Sequence, residues 1–534
     1  MAYRRLVLAL LLALVSSPAS AAVAKASASS SPSSPSQLRV ALDAAARSVG
    51  RALAALNAVP AVGRPFPAGF ASSSPALAAA AREDCAELLG ESLHLLAGAS
   101  SPGAARDDAV AWLSAALTHH DTCADGLAEA GVVVSEGRND AAAFDASFPG
   151  LAAARAKVRD SLAMYASSTA APGANKDDGD GGACGCTKNH TQRRDACGFP
   201  RWLPSTDRRL LLSPTAASLK AAADLVVARD GTGTHATIGD AVRAAPECSA
   251  RRTVIHVRAG RYDEVVRVGS KKTNLVFVGD GAGRTVVTGR RSVADNFTTF
   301  QTPTFAASGS GFMMRDMAVE NTAGPWRGQA VALRVSGDRA VVHNCTVRGH
   351  QDTLYAHAGR HFYRDCDVYG TVDFVFGNSA VVLQRCTLWS LPGKENTVTA
   401  QGRSEPCQDT GLVLHHCRVL PVADHSSPAP ANTYLGRPWR PYARVVVMLS
   451  YIGPHVPPRG WMPWNNTAYA LDTLYFGEYR NGGPGAAMGG RVTWRGHRVI
   501  ADDAEAERFT VASFIAGASW LPDTGVSFGL GLSL

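Results

Sequence analysis

The sequence has no apolar run long enough to remain in a membrane. Its most apolar stretch, Leu6–Val15, falls short of the roughly 18 residues that a membrane-spanning helix needs. A dense run of lysine and arginine is also missing, so nucleic acid is not an expected partner. The motifs Gly-x-Ser-x-Gly, His-Glu-x-x-His and the phosphate-binding loop are absent. These absences argue against an integral membrane protein, a nucleic-acid-binding protein and the common serine, zinc and nucleotide-dependent enzymes, and no cofactor is expected.

The N-terminus has the pattern of a secretory signal. Arg4 and Arg5 precede the short apolar run, and Ala19-Ser20-Ala21 forms a small-residue cleavage site. We therefore predict a signal peptide over 1–21 and a secreted protein with no membrane segment in its mature form. The following Ser/Pro-rich residues, 22–36, are predicted to be disordered. Four possible glycosylation sequons fit this route: Asn189, Asn296, Asn344 and Asn465.

A helical pattern begins near residue 37. Apolar residues recur every three or four positions at Leu38, Leu42, Ala45, Val49, Leu53 and Leu56. Similar stripes continue to about Ser167, which predicts an all-α bundle over 37–168. Cys85 and Cys123 lie on separate predicted helices and could join them through a disulfide.

Residues 169–211 show no hydrophobic periodicity and are rich in Gly and Asp, as expected of a linker. Three of the eleven cysteines cluster there, at Cys184, Cys186 and Cys197. A metal site would need a fourth ligand at the usual spacing, which is missing. Linker disulfides or free thiols are therefore favoured over a metal site.

From Asp224 onward the sequence consists of short β-rich segments, several of which repeat with a period of about 20 residues. The repeat is clearest in Val341–Gly349, His361–Gly370 and Ala380–Ser390. The leucine ladder of leucine-rich repeats is absent, so the pattern favours an all-β parallel β-helix over 212–534. Residues one coil apart stack about 4.8 Å apart in such a fold. We therefore predict that Cys366 and Cys386, on adjacent coils, form a disulfide.

The same period brings polar side chains together. Gln329, Gln351 and Asp373 are spaced by 22 residues, and Asp352 precedes Asp373 by 21. Two carboxylates this close do not both ionise easily, so one can attack while the other donates a proton. Glutamine amides can stabilise a developing oxyanion. Such a patch suits ester hydrolysis, and it also suits a glycosidase.

The net charge is +8, and nearly all of it lies after residue 211. An excess of basic over acidic residues is consistent with ordinary solubility, and it is also consistent with attraction to a polyanion. For an exported protein without a nucleic-acid-binding run, the polyanion would be an acidic polysaccharide.

Five motifs decide between these alternatives. They are Gly260-x-Tyr262-x-Glu264, Gln329–Leu333 (QAVAL), Gln351–Tyr355 (QDTLY), Val372–Gly377 (VDFVFG) and Tyr434–Trp439 (YLGRPW). In these motifs the chain resembles the plant pectin methylesterases, or pectinesterases. The resemblance implies a right-handed parallel β-helix that hydrolyses the methyl esters of homogalacturonan, the backbone of pectin, in the cell wall.

The resemblance also implies roles for single residues. Asp373 would be the nucleophile, Asp352 the general acid and base, and Gln351 the stabiliser of the oxyanion. The substrate contacts it implies are Thr299, Gln329, Arg437 and Trp439. No cofactor or metal is implied.

The N-terminal part resembles the inhibitor-like pro-region of these enzymes, a four-helix bundle in which a Cys85–Cys123 disulfide fits. Arg208-Arg209-Leu210-Leu211 matches the family's dibasic processing site, so a processing protease is an expected partner. A separate pectinesterase inhibitor protein is another. The alternative to an active esterase is a catalytically silent pectin-binding or inhibitor-type cell-wall protein.

Overall fold

The structure is a computed structural model that describes residues 34–58, 74–131, 149–168, 215–422 and 432–534. The expected signal peptide, nearly all of the Ser/Pro-rich segment, and the linker with Arg208–Leu211 lie outside the described residues. In the described helices, none is long and apolar enough to cross a bilayer.

Among the described residues, four long helices form the N-terminal domain: α1 Pro35–Ala58, α2 Pro75–Ala99, α3 Arg106–Glu129 and α4 Pro149–Ser167. Two features fix the start of α2. The Ser74 hydroxyl accepts a hydrogen bond from the Leu77 amide, and Pro75 occupies the first turn. The apolar stripes face inward, with Leu42, Leu88 and Leu113 at most 1% exposed. A disulfide between Cys85 and Cys123 joins α2 to α3. The predicted helical bundle and this disulfide are therefore confirmed.

Short strands make up most of the C-terminal domain. They are β1 Leu225–Val227, β2 Thr253–Val257, β3 Gly260–Asp263, β4 Val266–Val268, β5 Leu275–Gly279, β6 Thr285–Gly289, β7 Phe305–Ala307, β8 Met313–Arg315, β9 Ala318–Asn321, β10 Leu333–Val335, β11 Ala340–His343, β12 Thr346–Arg348, β13 Leu354–Ala356, β14 Arg360–Arg364, β15 Asp367–Gly370, β16 Val375–Gly377, β17 Ala380–Gln384, β18 Thr387–Ser390, β19 Glu395–Gln401, β20 Gly411–His415, β21 Arg418–Pro421, β22 Asn432–Pro438, β23 Arg444–Met448, β24 Tyr451–Ile452, β25 Tyr475–Tyr479 and β26 His497–Val499.

These strands form three parallel sheets, and successive strands pass from one sheet to the next. The first sheet has the order β1-β2-β5-β8-β11-β14-β17-β20-β23-β25-β26, and the second β24-β21-β18-β15-β12-β9-β6-β3. The third sheet, which bears on function, has the order β22-β19-β16-β13-β10-β7-β4. The chain therefore winds as a right-handed parallel β-helix, as predicted.

The interior of the β-helix is a set of apolar ladders. Parallel in-register pairing places equivalent residues of successive coils above one another. One ladder runs through Val342, Tyr363, Leu383, Leu414 and Val447, all at most 1% exposed. Four short helices complete the described part of this domain: α5 Ala216–Ala221, α6 Ile238–Ala244, α7 Asp503–Glu507 and α8 Val511–Phe514. Because each coil rests on its neighbours, the surface of the third sheet is a rigid platform.

The predicted Cys366–Cys386 disulfide is wrong, because both residues are buried free thiols. They do lie on adjacent coils, each directly after a residue with left-handed backbone, Asp365 or Arg385. This turn gives both side chains the same direction, so the two thiols stack in contact at about the strand spacing and do not close to the roughly 2 Å of a disulfide bond. Each thiol instead donates to a backbone carbonyl, as Cys366 Sγ does to the Arg364 oxygen at 3.3 Å.

A buried ion pair stabilises the last coils. Glu478, 2% exposed, accepts hydrogen bonds from Arg491 Nε at 2.9 Å and Nη2 at 3.1 Å, and from Trp461 Nε1 at 2.9 Å.

We expect Arg491→Met to lower the free energy of unfolding by about 3–5 kcal/mol, since it leaves the Glu478 carboxylate buried without its cation. Chemical unfolding measures this loss. The matched change Arg480→Met, in an exposed pair with Asp503, should cost less than about 1 kcal/mol. Equal losses for both variants would contradict the prediction.

Candidate active site

Two aspartates stand at the beginning of adjacent strands of the third sheet. Asp352 lies two residues before β13 and Asp373 two residues before β16, and these strands pair in register. Both have left-handed backbone, with φ of 62° and 53°. Aspartate tolerates this conformation better than most residues. The turn therefore places both carboxyl groups side by side on the sheet surface.

The Asp373 carboxylate is fixed by three donors. Arg437 on β22 donates from Nε to Oδ1 at 2.8 Å and from Nη2 to Oδ2 at 2.6 Å, a two-pronged contact. The hydroxyl of Thr397 on β19 donates to Oδ1 at 2.6 Å and accepts a hydrogen bond from the Asp373 amide at 2.8 Å. These contacts suit an ionised, rigidly oriented carboxylate.

Asp352 has a different environment. It is 7% exposed. Burial raises its pKa well above the ordinary value, and the Asp373 charge raises it further, while Arg437 acts in the opposite direction. Asp352 therefore favours the protonated form beside an ionised Asp373, which is the arrangement needed for one nucleophile and one proton donor.

A pocket of about 200 Å³ opens above the two aspartates. Its lining includes all seven residues of the predicted catalytic and substrate-binding set: Thr299, Gln329, Gln351, Asp352, Asp373, Arg437 and Trp439. Aromatic rings form one wall, with Tyr355 stacked on Phe376 at 4.2 Å between ring centroids and Trp439 edge-on to Phe376 at 6.0 Å. The Arg437 guanidinium lies over Trp464 at 4.4 Å.

The contacts described above involve residues that were not predicted as part of the site: Tyr355, Phe376, Thr397 and Trp464. A signal existed for the first two, since each follows a catalytic-site aspartate by three residues and they pair in register. Thr397 comes 24 residues after Asp373, on a coil with a longer loop that interrupts the period. Trp464 lies outside the strands altogether, in a one-turn helix at Trp464–Asn466.

The open side of the pocket is covered by the N-terminal domain. Thr122, Asp125, Gly126 and Glu129 of α3 share one face of that helix and line the pocket. Glu129 accepts hydrogen bonds from the Thr299 amide at 2.7 Å and from its hydroxyl at 2.9 Å. Asp125 is paired with Arg440. Gly126 adds no side chain between these two acids, and a Cβ there would lie 3.9 Å from the Thr298 methyl group.

Further polar contacts join the two domains. Asp84 on α2 accepts hydrogen bonds from Thr298 Oγ1 at 2.9 Å and Gln301 Nε2 at 3.0 Å. Asp108 at the start of α3 pairs with both Arg339 and Arg360 at 2.7 Å. The bundle thus presents acids to arginines and hydroxyl groups of the β-helix.

Comparison with known proteins identifies the family. A family model described as "Pectinesterase" matches residues 224–518, and one described as "Plant invertase/pectin methylesterase inhibitor" matches residues 16–152. The protein is therefore a carboxylic ester hydrolase with an inhibitor-like N-terminal domain. More particularly, the chain belongs to the pectinesterase family.

Individual relatives agree with this assignment. The chain is 47% identical over 473 residues to "Probable pectinesterase/pectinesterase inhibitor 34" of Arabidopsis thaliana, covering 86% of this chain and 76% of the relative. It is 41% identical to "Pectinesterase 2" of Citrus sinensis, covering 85% and 82%. The solved "Pectin methylesterase from Carrot" is 49% identical, with a TM-score of 0.57, and covers 58% of this chain and 98% of its own. That solved chain therefore has about the length of the β-helix alone.

Proposed function

We propose that this protein hydrolyses the methyl esters of polygalacturonan through an aspartyl nucleophile and acts outside the cell, in the cell wall. The observation that carries the proposal is the unequal pair of carboxyl groups. Asp373 is held by Arg437 and Thr397, whereas the buried Asp352 favours its protonated form. A glycosidase would also need an acid and a carboxylate, but the family membership favours the ester bond.

In the proposed reaction each of these groups has a separate role. The Asp373 carboxylate attacks the ester carbonyl carbon, and Gln351 and Gln329 donate hydrogen bonds to the resulting oxyanion. Asp352 gives its proton to the departing methoxide, so methanol leaves and an acyl-enzyme remains. Water then attacks the acyl carbon while Asp352 takes back a proton, which frees the carboxylate product and Asp373. Trp439 and Thr299 hold the sugar chain, and Arg437 keeps Asp373 in place.

Methanol measurement tests this function. The chain is produced with a specific protease site inserted in 169–211, cut after folding and separated from its bundle. This design follows the solved carrot chain, which has about the length of the β-helix alone. Incubation with highly methylated pectin should release methanol with little change in viscosity. Binding without methanol would support the silent pectin-binding alternative, and falling viscosity without methanol would indicate chain cleavage.

We also place the regulation of this activity in the N-terminal domain. Helix α3 lies over the pocket, so substrate is expected to enter only after the bundle has left. Cleavage at Arg208–Leu211 by a processing protease would release it. A separate inhibitor protein would need the same face of the β-helix.

Thr397 is expected to position the nucleophile, since its hydroxyl donates a hydrogen bond to the carboxylate of Asp373 and accepts one from its amide. Thr397→Val keeps the shape but removes the hydroxyl, and we expect kcat to fall about tenfold, the usual value of one hydrogen bond to a charged group. KM should change less than about twofold. Thr397→Ser restores the hydroxyl and should restore most of kcat. A loss in the serine variant as large as in the valine variant would mean that only packing matters.

A further inference from the structure

The glycosylation sequons at Asn296, Asn344 and Asn465 lie in the described part of the chain, and Asn189 lies outside it. The side chains of Asn296 and Asn465 are exposed and make no hydrogen bond to another described residue. Asn344 is exposed as well, but its Nδ2 donates a hydrogen bond to Asp316 Oδ1 at 2.6 Å. A glycan is bulky and is attached through Nδ2. Asn296 and Asn465 can therefore carry one without losing a contact, whereas Asn344 cannot.

Both of the unbonded asparagine side chains lie at tight turns. Asn296 ends the one-turn helix Val293–Asp295 with a φ of 61°, and Asn465 lies within the one-turn helix Trp464–Asn466 with a φ of 49°. Asparagine tolerates this left-handed conformation better than most residues. The turns thus present both amides to solvent at the surface of the β-helix.

These two turns lie towards opposite ends of the third sheet. Asn296 is three residues before Thr299, which precedes β7. Asn465 follows Trp464, and the guanidinium over the Trp464 ring belongs to Arg437 of β22. Strands β22 and β7 are separated in this sheet by β19, β16, β13 and β10. Because both asparagines are exposed while the bundle is docked, glycans there are compatible with the docked bundle.

The face between the two turns is apolar. Five side chains of the β-helix share one buried cluster with the core of the bundle, and each is at most 6% exposed: Phe300, Val331, Tyr355, Phe376 and Ala400. They lose this cover when the bundle leaves. A large exposed apolar patch promotes association between protein molecules. The bundle-free β-helix would therefore pair with a second copy through this face unless the face is shielded.

We propose that Asn296 and Asn465 carry N-linked glycans, which stand at the two ends of this apolar face and keep the bundle-free β-helix monomeric. In the modification, Nδ2 of the asparagine forms a bond to the anomeric carbon of an oligosaccharide carried on a lipid diphosphate. The bond from that carbon to the diphosphate oxygen breaks, the lipid diphosphate leaves, and Nδ2 gives up one proton. The inference rests on the export included in the proposed function, because sequons are modified in secreted proteins.

Peptide mapping tests the modification itself. The full chain is produced in plant cells, recovered from the medium and treated with a peptide N-glycosidase in heavy-oxygen water, which marks each glycosylated asparagine as a labelled aspartate. Asn296 and Asn465 should be labelled in most molecules, and Asn344 should not. Thr467→Ala should remove the label from Asn465, whereas Thr467→Ser keeps the sequon and should keep the label. Secreted chains in which Asn296 and Asn465 are both unlabelled would overturn the inference.

Sedimentation of the bundle-free chain tests the role of the glycans. The double variant Asn296→Asp/Asn465→Asp keeps residues that tolerate the left-handed turns but removes both acceptor amides. Without the bundle its average mass should rise about twofold, as for a dimer, the commonest assembly of like chains. The wild type and Thr467→Ser should stay monomeric. The full-length double variant should also stay monomeric, because the bundle covers the face.

Glycosidase treatment of the folded, bundle-free wild type repeats this comparison without a change in sequence, so it also decides the case if the double variant is not secreted. A deglycosylated, bundle-free β-helix that stays monomeric would overturn the role of the glycans. Methanol release by the same preparation separates this result from the proposed function. An active, secreted enzyme with unlabelled asparagines would overturn the glycosylation alone, whereas a labelled but inactive one would overturn the esterase activity. A chain retained inside the cell would overturn the export on which both depend.

Discussion

Replacing Asp373 by asparagine is expected to reduce methanol release by about 10³-fold or more. Asparagine keeps the volume and can still accept a hydrogen bond from Thr397, but an amide is not a nucleophile. It also leaves the Arg437 guanidinium without its carboxylate partner. The chemical step is therefore lost while the coil around it stays in place. Initial rates on highly methylated pectin, with circular dichroism to verify folding, measure the effect.

Asp352→Asn should be nearly as damaging, because lost acid and base assistance alone costs about 10²-fold or more. The double variant should be little worse than either single one, since both residues serve the same step. Asp365→Asn is a suitable control: this surface aspartate pairs with Arg385 away from the pocket, and its activity should equal that of the wild type. Either single variant retaining more than about a tenth of wild-type kcat would refute these assignments.

The repeat made much of the β-helix predictable. A period of about 20 residues without intervening helices indicates a solenoid, and in-register stacking converts that period into proximity. The spacing of Asp352 and Asp373 alone therefore places them side by side. The same reasoning failed for Cys366 and Cys386, because stacking at the strand spacing brings two thiols into contact but does not require that they form a bond.

Other features left no periodic signal. Thr397 lies on a coil whose loop is longer than its neighbours', so spacing alone does not connect it to Asp373. The contacts of Asp125 with Arg440 and of Glu129 with Thr299 join residues that are 315 and 170 positions apart. Such contacts depend on how two separately folded domains meet, and amphipathic periodicity reports only which face of a helix is buried.

The docking of the bundle is expected to respond to pH through Glu91. This residue of α2 is 8% exposed and lies 3.7 Å from Nε2 of His119. Burial first, and then the charge of the neighbouring Glu87, raise its pKa from 4.5 to about 7. Arg334, Ser270 and Ser308 of the β-helix act in the opposite direction. Burial lowers the pKa of His119 to about 3, so its imidazole stays neutral between pH 5 and 8.

The direction of the pH dependence of docking follows from proton uptake. A carboxyl whose pKa rises on docking binds a proton as the domains associate. Its contribution to docking is complete below the ordinary pKa of about 4.5 and is lost as the pH rises through about 7. Glu129 should act in the same sense, because burial raises its pKa to about 7 as well. His357 acts in the opposite sense, since burial at the interface lowers its pKa well below 6.5.

Comparing the wild type with Glu91→Gln isolates the contribution of the Glu91 carboxyl to the pH dependence of docking, because His357 and Glu129 remain in both proteins. The measurement is the Kd of the bundle for the β-helix, in chains cut within 169–211, from pH 5 to pH 8. The wild-type Kd divided by that of Glu91→Gln should rise by up to about 100-fold over this range, since one pKa unit corresponds to a factor of ten. Asp160→Asn, on the exposed face of α4, is the control and should follow the wild type at each pH. A constant ratio for Glu91→Gln would show that this carboxyl does not take up a proton on docking. A rising ratio would mean that the Glu91 carboxyl takes up a proton on docking, so that its own contribution favours the docked bundle in an acidic environment and is lost as the pH rises.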